Sequence, residues 1–143
     1  MREEFSCGAI VYRIENNKPL FILVYSKRNG HWGFPKGHIE KSDKDFYATA
    51  AREIFEETGI KEIKFCDNFR HEEIYLIGAK KDITKHTIFF LACADQKSNF
   101  SNAADEEIGE VKELYFEDAV KLLKFDSHKM ILNKALEIIE KGG

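Results

Sequence analysis

The sequence predicts an α/β fold, an α/β/α sandwich in which helices cover a mixed β-sheet. Residues 6–12 and 20–25 are almost continuously apolar, β-branched or aromatic, which is typical of strands that are covered on both faces. Between them and the next strands, apolar residues recur at helical spacing from Phe46 to Phe55, so this segment has one face suited to a core. These patterns together favour layers of helices and strands.

The two apolar runs are separated by the turn-forming residues 15–19, and we predict that they form a hairpin. Residues 26–36 are predicted to be a loop, since glycine and proline interrupt them. Residues 96–109 are polar and acidic, which indicates a second loop. The remaining patterns predict three strands, at residues 62–65, 72–77 and 87–94. They also predict two C-terminal helices, one at residues 117–123 and a longer one that Ser127 caps.

The helix between the two groups of strands has recognisable ends. Ser42 is a suitable N-cap, Asp45 lies three residues later at the capping-box position, and Gly59 fits the position just beyond the C-terminus. We therefore predict a helix that begins after Ser42 and ends before Gly59.

Length and composition exclude several classes of protein. The 143 residues are the size of one ordinary domain, which we expect to span residues 1–143, and 43% hydrophobic with 33% charged residues is a globular composition. A net charge of -3 gives no general attraction to DNA. No apolar run approaches the ~20 residues of a membrane span, and the N-terminus lacks the apolar segment of a signal peptide. We therefore expect a cytoplasmic protein without a membrane partner. We also expect a monomer.

The cysteines and histidines give no metal pattern. Cys7, Cys66 and Cys93 are odd in number and far apart, so we expect free, mostly buried thiols rather than disulfides or a zinc site. Four histidines show no ligand spacing and are expected in surface or loop positions, at His31, His38, His71 and His128.

Three acidic residues lie on one face of the central helix. Glu53, Glu56 and Glu57 stand at i, i+3 and i+4, and each repulsive pair costs a helix up to about 0.5 kcal/mol. A bound divalent cation would relieve this repulsion, and clustered carboxylates suit Mg²⁺ or Mn²⁺. The alternative is a solvated acidic face, which is the commoner explanation for three glutamates considered alone.

The residues around these glutamates resemble a known family. Residues 52–60, REIFEETGI, match the R-E-U-x-E-E-x-G-U half of the Nudix hydrolase box, in which U is a bulky aliphatic residue. Gly37 matches the first glycine of the box, and residues 31–36, HWGFPK, resemble the lead-in of Nudix proteins that cleave dinucleoside polyphosphates. The chain departs from the pattern at Lys44, where the family has glutamate, and it has one extra residue between Gly37 and Arg52. Asp43 or Asp45 could supply the missing carboxylate.

The resemblance implies a Nudix-type sandwich and a set of site residues. It implies that Glu53, Glu56 and Glu57 hold Mg²⁺ or Mn²⁺, that the Gly37 carbonyl adds a ligand, and that Arg52 orients the acids. Either Glu53 or Glu57 would take the proton of the attacking water. A further glutamate precedes a strand in many Nudix enzymes, and Glu110 has the matching offset, with Glu106 and Glu107 as competitors.

The same resemblance implies a nucleotide substrate. Residues 85–90, KHTIFF, are similar to a strand that lines the phosphate and base pocket of dinucleoside tetraphosphate hydrolases, which makes Lys85 and Phe89 candidate substrate contacts. Lys36 can reach a phosphate, and Tyr75 can stack on an adenine. Taken alone, Lys36 would more often be a solvated lysine, and Tyr75 is equally well explained as a core aromatic.

The implied reaction is magnesium-dependent hydrolysis of diadenosine tetraphosphate to ATP and AMP. One alternative keeps the same acids and acts on nucleoside triphosphates or the 5' end of RNA. The alternative from another class is a Nudix domain that binds nucleotides without hydrolysing them.

Overall fold

The computed structural model describes residues 2–95 and 105–142, and within these residues seven strands form one sheet against which three helices pack. The strands are β1 (Arg2–Glu15), β2 (Lys18–Ser26), β3 (His31–Gly33), β4 (Lys36–His38), β5 (Ile63–Ile77), β6 (Ile83–Ala94) and β7 (Ile108–Tyr115). The helices are α1 (Phe46–Thr58), α2 (Phe116–Leu122) and α3 (Asp126–Glu140).

Strand β1 lies in the middle of the sheet. The main strand order is β3-β2-β1-β6-β5, while β4 also pairs with β1 and β7 with β2. β1 and β6 run parallel, and the other pairings among the described strands are antiparallel. The predicted α/β fold with a mixed sheet is confirmed.

Each face of the sheet has its own hydrophobic core, because successive residues of a strand point to opposite faces. Ile10 of β1 packs on one face with Leu132 of α3, and Ala9 packs on the other face with Ile54 of α1; all four side chains are fully buried. Burial of each large aliphatic side chain contributes about 1.5 to 3 kcal/mol. Helices therefore cover both faces, and α1 is held against the sheet by its apolar side.

The predicted hairpin of β1 and β2 closes through a two-residue turn. Glu15 pairs with Lys18, and the intervening Asn16 and Asn17 have φ angles of 53° and 63°. Positive φ at both positions is the backbone of a type I′ turn, which asparagine tolerates better than most residues. The apolar runs predicted at residues 6–12 and 20–25 lie inside these longer strands.

The structure corrects several predicted strand boundaries. The two strands expected at residues 62–65 and 72–77 are one strand, β5, whose pairing with β6 changes register between Phe65 and Arg70. The segment predicted as a loop at residues 26–36 contains β3 and the start of β4. These residues form strands because β3 pairs with β2 and β4 with β1, which local composition does not indicate.

Helix α1 starts later than predicted. Its N-cap is Asp45, whose Oδ1 accepts a hydrogen bond of 2.8 Å from the Ala48 backbone N–H, so the prediction of Ser42 as the cap is wrong. Gly59 adopts φ 81° just after the helix and donates its N–H to the Phe55 carbonyl, which confirms the predicted C-terminus.

The C-terminal helices agree with the prediction except at their first residues. α2 begins at Phe116, and α3 begins at Asp126 after Phe125, which provides no side-chain cap. Ser127 is therefore inside the first turn of α3 rather than its cap.

Two further expectations concern the thiols and the membrane. None of the three cysteines forms a disulfide within the described residues; Cys7 is buried, Cys66 and Cys93 are partly exposed, and burial raises the pKa of the Cys7 thiol to about 11. Among the helices in the described part of the chain, none is long and apolar enough to cross a bilayer.

Candidate active site

Three carboxylates come together beside the end of α1. Glu53 and Glu57 are one helical turn apart and are 8% and 7% exposed. Asp105, which precedes β7, lies opposite them, and one oxygen from each of the three groups lies within 4.8 Å of the others. The sheet thus brings a third acid to two that α1 already holds on one face.

Gly37 of β4 lies directly against this group. A Cβ atom at this position would be 2.1 Å from Cδ of Glu53, which is far inside van der Waals contact. The Glu53 carboxylate occupies the space that any other residue would fill with a side chain. The glycine therefore allows the acid to lie against the backbone of β4.

Burial and like charge raise the pKa of both helical acids. The pKa of Glu57 is raised to about 9, first by burial and then by Glu53 and Asp105, although the Lys36 backbone hydrogen bond acts in the opposite direction. The pKa of Glu53 is raised by burial and by Glu56, against a hydrogen bond from Arg52. Without a cation, this arrangement disfavours full ionisation.

The donor set fits a divalent cation. All three groups are carboxylates, which are the hard oxygen ligands that Mg²⁺ and Mn²⁺ prefer. Burial is the largest cause of the raised pKa values and repulsion between the acids adds to it, and a bound cation would favour the ionised carboxylates against both. Glu53, Glu57 and Asp105 are therefore the residues that could hold the metal.

Arg52 connects the acids to the loop before α1. Its guanidinium donates to Glu53 at 2.8 Å, to Glu56 at 3.1 Å and to the His38 carbonyl at 2.8 Å. It also donates from Nε and NH2 to the two oxygens of Asp43, at 3.1 and 3.0 Å. This bidentate pair holds the pKa of Asp43 well below its ordinary range, and of the two candidate aspartates, Asp43 and Asp45, it is Asp43 that bonds to Arg52.

Two lysines approach the site from the sheet. Lys36 of β4 is partly buried, and burial lowers its pKa while Glu73 and Glu57 raise it. Lys85 of β6 is 8% exposed and donates from Nζ to the Ser6 hydroxyl at 2.9 Å. Burial and the charge of Lys36 lower the pKa of Lys85. Both lysines would gain from an anionic ligand, because each cation lies in a partly desolvated position.

An aromatic pocket adjoins the acids. It has a volume of about 370 Å³, and Tyr75 and Phe125, each 42% exposed, line it together with Lys36. A smaller pocket of about 110 Å³ is lined by Lys36 and Glu57 among others. Lys36 lines both pockets, so a molecule seated against the aromatic rings could extend toward the acids.

Other predicted site residues lie elsewhere. Phe89 is fully buried and packs edge-on against Phe34 at 5.5 Å between ring centroids, so it belongs to the core, and its contact with substrate stays a prediction. Glu110 is exposed on β7, 4.0 Å from Lys112, and is outside the group of three acids. Glu56 is also outside this group and is bound to Arg52.

The sequence prediction missed three residues at the site. Asp105 lies in the acidic segment where only Glu106, Glu107 and Glu110 were considered. Phe125 follows a helix and had no distinguishing pattern. His128, expected at the surface, is 8% exposed and lines both pockets. Its position four residues before the apolar Leu132 on α3 was the available signal that it faces the core.

Comparison with known proteins decides the family. Residues 5–134 match the model of the NUDIX domain, which is most of the chain. The chain belongs to the Nudix family. The match includes α1, β4 and the residues around Arg52, so the resemblance stated from the Nudix box is confirmed.

Two curated relatives and one solved structure extend this result. The chain is 29% identical over 143 residues to a mouse bis(5'-nucleosyl)-tetraphosphatase (asymmetrical), with 94% of each protein covered. It is 31% identical over 119 residues to a putative mRNA-decapping protein of Acanthamoeba polyphaga mimivirus, covering 76% of this chain and 33% of that protein, so it spans about a third of that relative's length. A C. elegans Ap4A hydrolase binary complex has the same Nudix fold, with a TM-score of 0.80, 23% identity and coverage of 98% and 99%.

Proposed function

We propose that this Nudix protein hydrolyses dinucleoside polyphosphates in a metal-dependent reaction, and that it converts diadenosine tetraphosphate to ATP and AMP by attack of water on phosphorus. The observation that carries the proposal is the group of Glu53, Glu57 and Asp105 beside a pocket that contains Lys36 and exposed aromatic rings. The mouse tetraphosphatase supports the choice of substrate, since it aligns over nearly the whole of both chains.

Glu53, Glu57 and Asp105 would hold the metal, and the Gly37 carbonyl and Glu56 remain candidate further ligands. When bound, Mg²⁺ or Mn²⁺ offsets phosphate charge and lowers the pKa of a coordinated water. Either Glu53 or Glu57 takes the proton of the attacking water, because both are within the acidic group and only an ionised carboxylate can accept it. Arg52 does not contact the reacting atoms in this proposal, and it holds Glu53 through its hydrogen bond.

The polyphosphate would lie between the acids and the aromatic pocket. Lys36 and Lys85 neutralise charge that develops on the phosphate oxygens, a role that suits partly buried ammonium groups. A base between Tyr75 and Phe125 would gain about 1 to 3 kcal/mol from each stacking contact. The remote base thereby fixes the position of the phosphate chain relative to the acids.

The direct test is turnover of diadenosine tetraphosphate by the purified protein with Mg²⁺, followed by separation of the products. ATP and AMP in equal amounts are expected. Two molecules of ADP, or no turnover, would contradict the proposal, and binding without turnover would favour the non-catalytic alternative. The same assay applied to Glu57→Gln tests the acidic group. Glu62→Gln, at an exposed position after α1, is its control, because it removes one negative charge outside that group.

A second candidate substrate is the capped 5' end of RNA, which the similarity to the mimivirus decapping protein favours. The same acids would serve both reactions, since each cleaves a phosphoanhydride. A panel containing diadenosine tetraphosphate, a capped RNA and nucleoside triphosphates separates the candidates by their kcat/KM values. The highest kcat/KM on diadenosine tetraphosphate is expected.

A further inference from the structure

The wall of the aromatic pocket contains a carboxylate. Glu73 lies two residues before Tyr75 on β5, so the two side chains point to the same face of the strand. Both residues line the pocket, and the Glu73 side chain is 16% exposed. A base seated on Tyr75 therefore has an anionic group beside it.

His128 of α3 holds this carboxylate in place. His128 Nε2 is 3.2 Å from Oε1 of Glu73, and Ser127 lines the same pocket. Because an ionised carboxylate only accepts hydrogen bonds, Nε2 must carry the proton of this contact. The hydrogen bond from His128 is the largest cause that lowers the pKa of Glu73, so this carboxylate is ionised at neutral pH.

The surroundings of His128 make this orientation rigid. Its ring is 8% exposed and packs at 5.5 Å from both Phe34 and Phe125 and at 5.8 Å from Phe89. Its other ring nitrogen, Nδ1, is buried and has no hydrogen-bond partner among the residues that the structure describes. Within the described residues, the contact with Glu73 is therefore the only hydrogen bond of the His128 side chain, and the pair has one preferred geometry.

A fixed carboxylate distinguishes between the purine bases. Its two oxygens offer about four acceptor positions, of which His128 uses one. Guanine presents two adjacent donors, N1–H and the 2-amino group, which match two carboxylate oxygens in the way that a guanidinium does. Adenine presents its 6-amino donor next to the N1 acceptor, and the lone pair of N1 would face the negative charge.

We propose that Glu73 makes this pocket selective for guanine, so that guanine-containing dinucleoside polyphosphates are preferred to their adenine counterparts. This inference rests on the proposed function for its reaction but concerns only the identity of the base. Glu73 is the specificity-determining residue that touches the base, and His128 is a positioning residue that acts through Glu73.

The first test uses the unaltered protein and changes the ligand. With Mg²⁺, kcat/KM for diguanosine tetraphosphate should exceed that for diadenosine tetraphosphate by about tenfold or more, since a good bidentate base contact discriminates by that order. Diinosine tetraphosphate keeps N1–H but lacks the 2-amino group, and it should fall between the two. Equal kcat/KM values for the guanine and adenine substrates would overturn the inference.

The second test changes the protein. Glu73→Gln replaces one acceptor by a donor and removes the negative charge that would face adenine N1, so the ratio of kcat/KM for the guanine substrate to kcat/KM for the adenine substrate should fall to about twofold or less. Glu72→Gln is the matched control, because Glu72 is the adjacent residue of β5 and bonds to His86 at 2.8 Å instead of lining the pocket. An unchanged preference in Glu73→Gln, or an equal loss for both substrates, would contradict the assignment.

The positioning role of His128 can be tested separately, by the ratio of kcat/KM values for the two bases. His128→Phe removes the donor to Glu73 and should reduce the guanine preference, whereas His128→Gln retains an N–H donor and should restore most of it. A purely structural role would lower the melting temperature in both variants without changing the ratio of kcat/KM values for the two bases. That result would remove His128 from the proposal.

Binding separates this inference from the proposed hydrolysis. Calorimetry with GMP and AMP in the absence of metal measures base preference without turnover, and GMP should bind about tenfold or more tightly. If neither tetraphosphate is hydrolysed but GMP binds more tightly, the reaction is wrong and the base selectivity stands. If hydrolysis occurs and GMP and AMP bind equally, the selectivity is wrong and the reaction stands.

Discussion

Arg52 shows how one side chain orders the acidic face of α1. It contacts Asp43 in the preceding loop and Glu53 and Glu56 on the helix, and it also reaches the carbonyl of His38. Charge-assisted hydrogen bonds of this kind have defined directions. The orientation of Glu53 therefore depends on Asp43, a residue that does not touch the acidic group.

The Asp43→Asn variant is expected to be less stable by about 1.5 to 3 kcal/mol, because the Asp43 side chain is 6% exposed and bonds bidentately to Arg52. Thermal unfolding at neutral pH measures this loss. Asp45→Asn, two positions away, is the control, since asparagine caps a helix about as well as aspartate does. Equal melting temperatures for Asp43→Asn and the wild type would contradict the role of the pair.

The pair of Arg52 and Asp43 should make the stability of the protein depend on pH in the acid range. Arg52 lowers the pKa of Asp43 in the folded protein, so the contribution of Asp43 is complete above the unfolded pKa of about 4. It is lost progressively as the pH falls below that value. The wild type should therefore lose more stability than Asp43→Asn between pH 5 and pH 3, as measured by denaturant unfolding across this range.

Gly37→Ala should reduce activity with little loss of stability. The new Cβ would lie where the Glu53 carboxylate is now, and the flexible end of that side chain would move away. A displacement of about 1 Å at a catalytic group can cost about 100-fold in rate. Gly33→Ala adds the same methyl group in the adjoining pocket, where a Cβ atom has nothing within 4 Å, and its kcat/KM should fall far less than that of Gly37→Ala.

At the scale of the element, the central helix was well predicted at its C-terminus and less well at its N-terminus. Periodicity alone placed Glu53 and Glu57 on one face, and Gly59 marked the end. The start was ambiguous because Ser42, Asp43 and Asp45 all have capping side chains. The choice depended on Arg52, which takes Asp43 as its partner and leaves Asp45 to cap the helix, and this contact has no local sequence signal.

Glu57→Gln is expected to lower kcat by about 100- to 10,000-fold, as is typical for loss of a general base or of a metal ligand with that role. The metal-free variant should melt at a higher temperature than the wild type. A carboxyl whose pKa is raised on folding contributes fully below its unfolded pKa of about 4 and loses that contribution as the pH rises toward about 9. The difference in melting temperature should therefore grow from pH 5 to pH 9, and wild-type activity in the variant would refute the site.

At the scale of the whole molecule, the sheet determines which distant residues meet. Asp105, Tyr75 and Phe125 belong to separate segments, and strand pairing brings them near α1 and β4. A sequence pattern shows which face of one helix or strand is apolar, but not which distant segment lies against it. Asp105 and Phe125 were missed for this reason. Motif similarity does not specify which face of β6 is covered by α3, so it did not indicate that Phe89 lies in the core on that face.

Cation binding should couple to protonation of the folded protein. Because the pKa of Glu57 is about 9 without metal, Mg²⁺ binding near pH 7 should release a proton. Calorimetry of Mg²⁺ binding in two buffers of different ionisation enthalpy measures this release. It should disappear in Glu57→Gln, while a buffer-independent enthalpy for the wild type would show that Glu57 is already ionised.

The parallel pairing of β1 with β6 has a consequence for synthesis on the ribosome. Lys85 and Ser6 are 79 positions apart, so the hydrogen bond between them cannot form until β6 has left the exit tunnel. A nascent chain that ends before β6 has the acids of α1 but lacks Lys85, and the inner edge of β1 is open to other strands. We therefore expect the growing polypeptide to depend on chaperones at this stage, and to bring Lys85 beside Ser6 only after β6 is inserted.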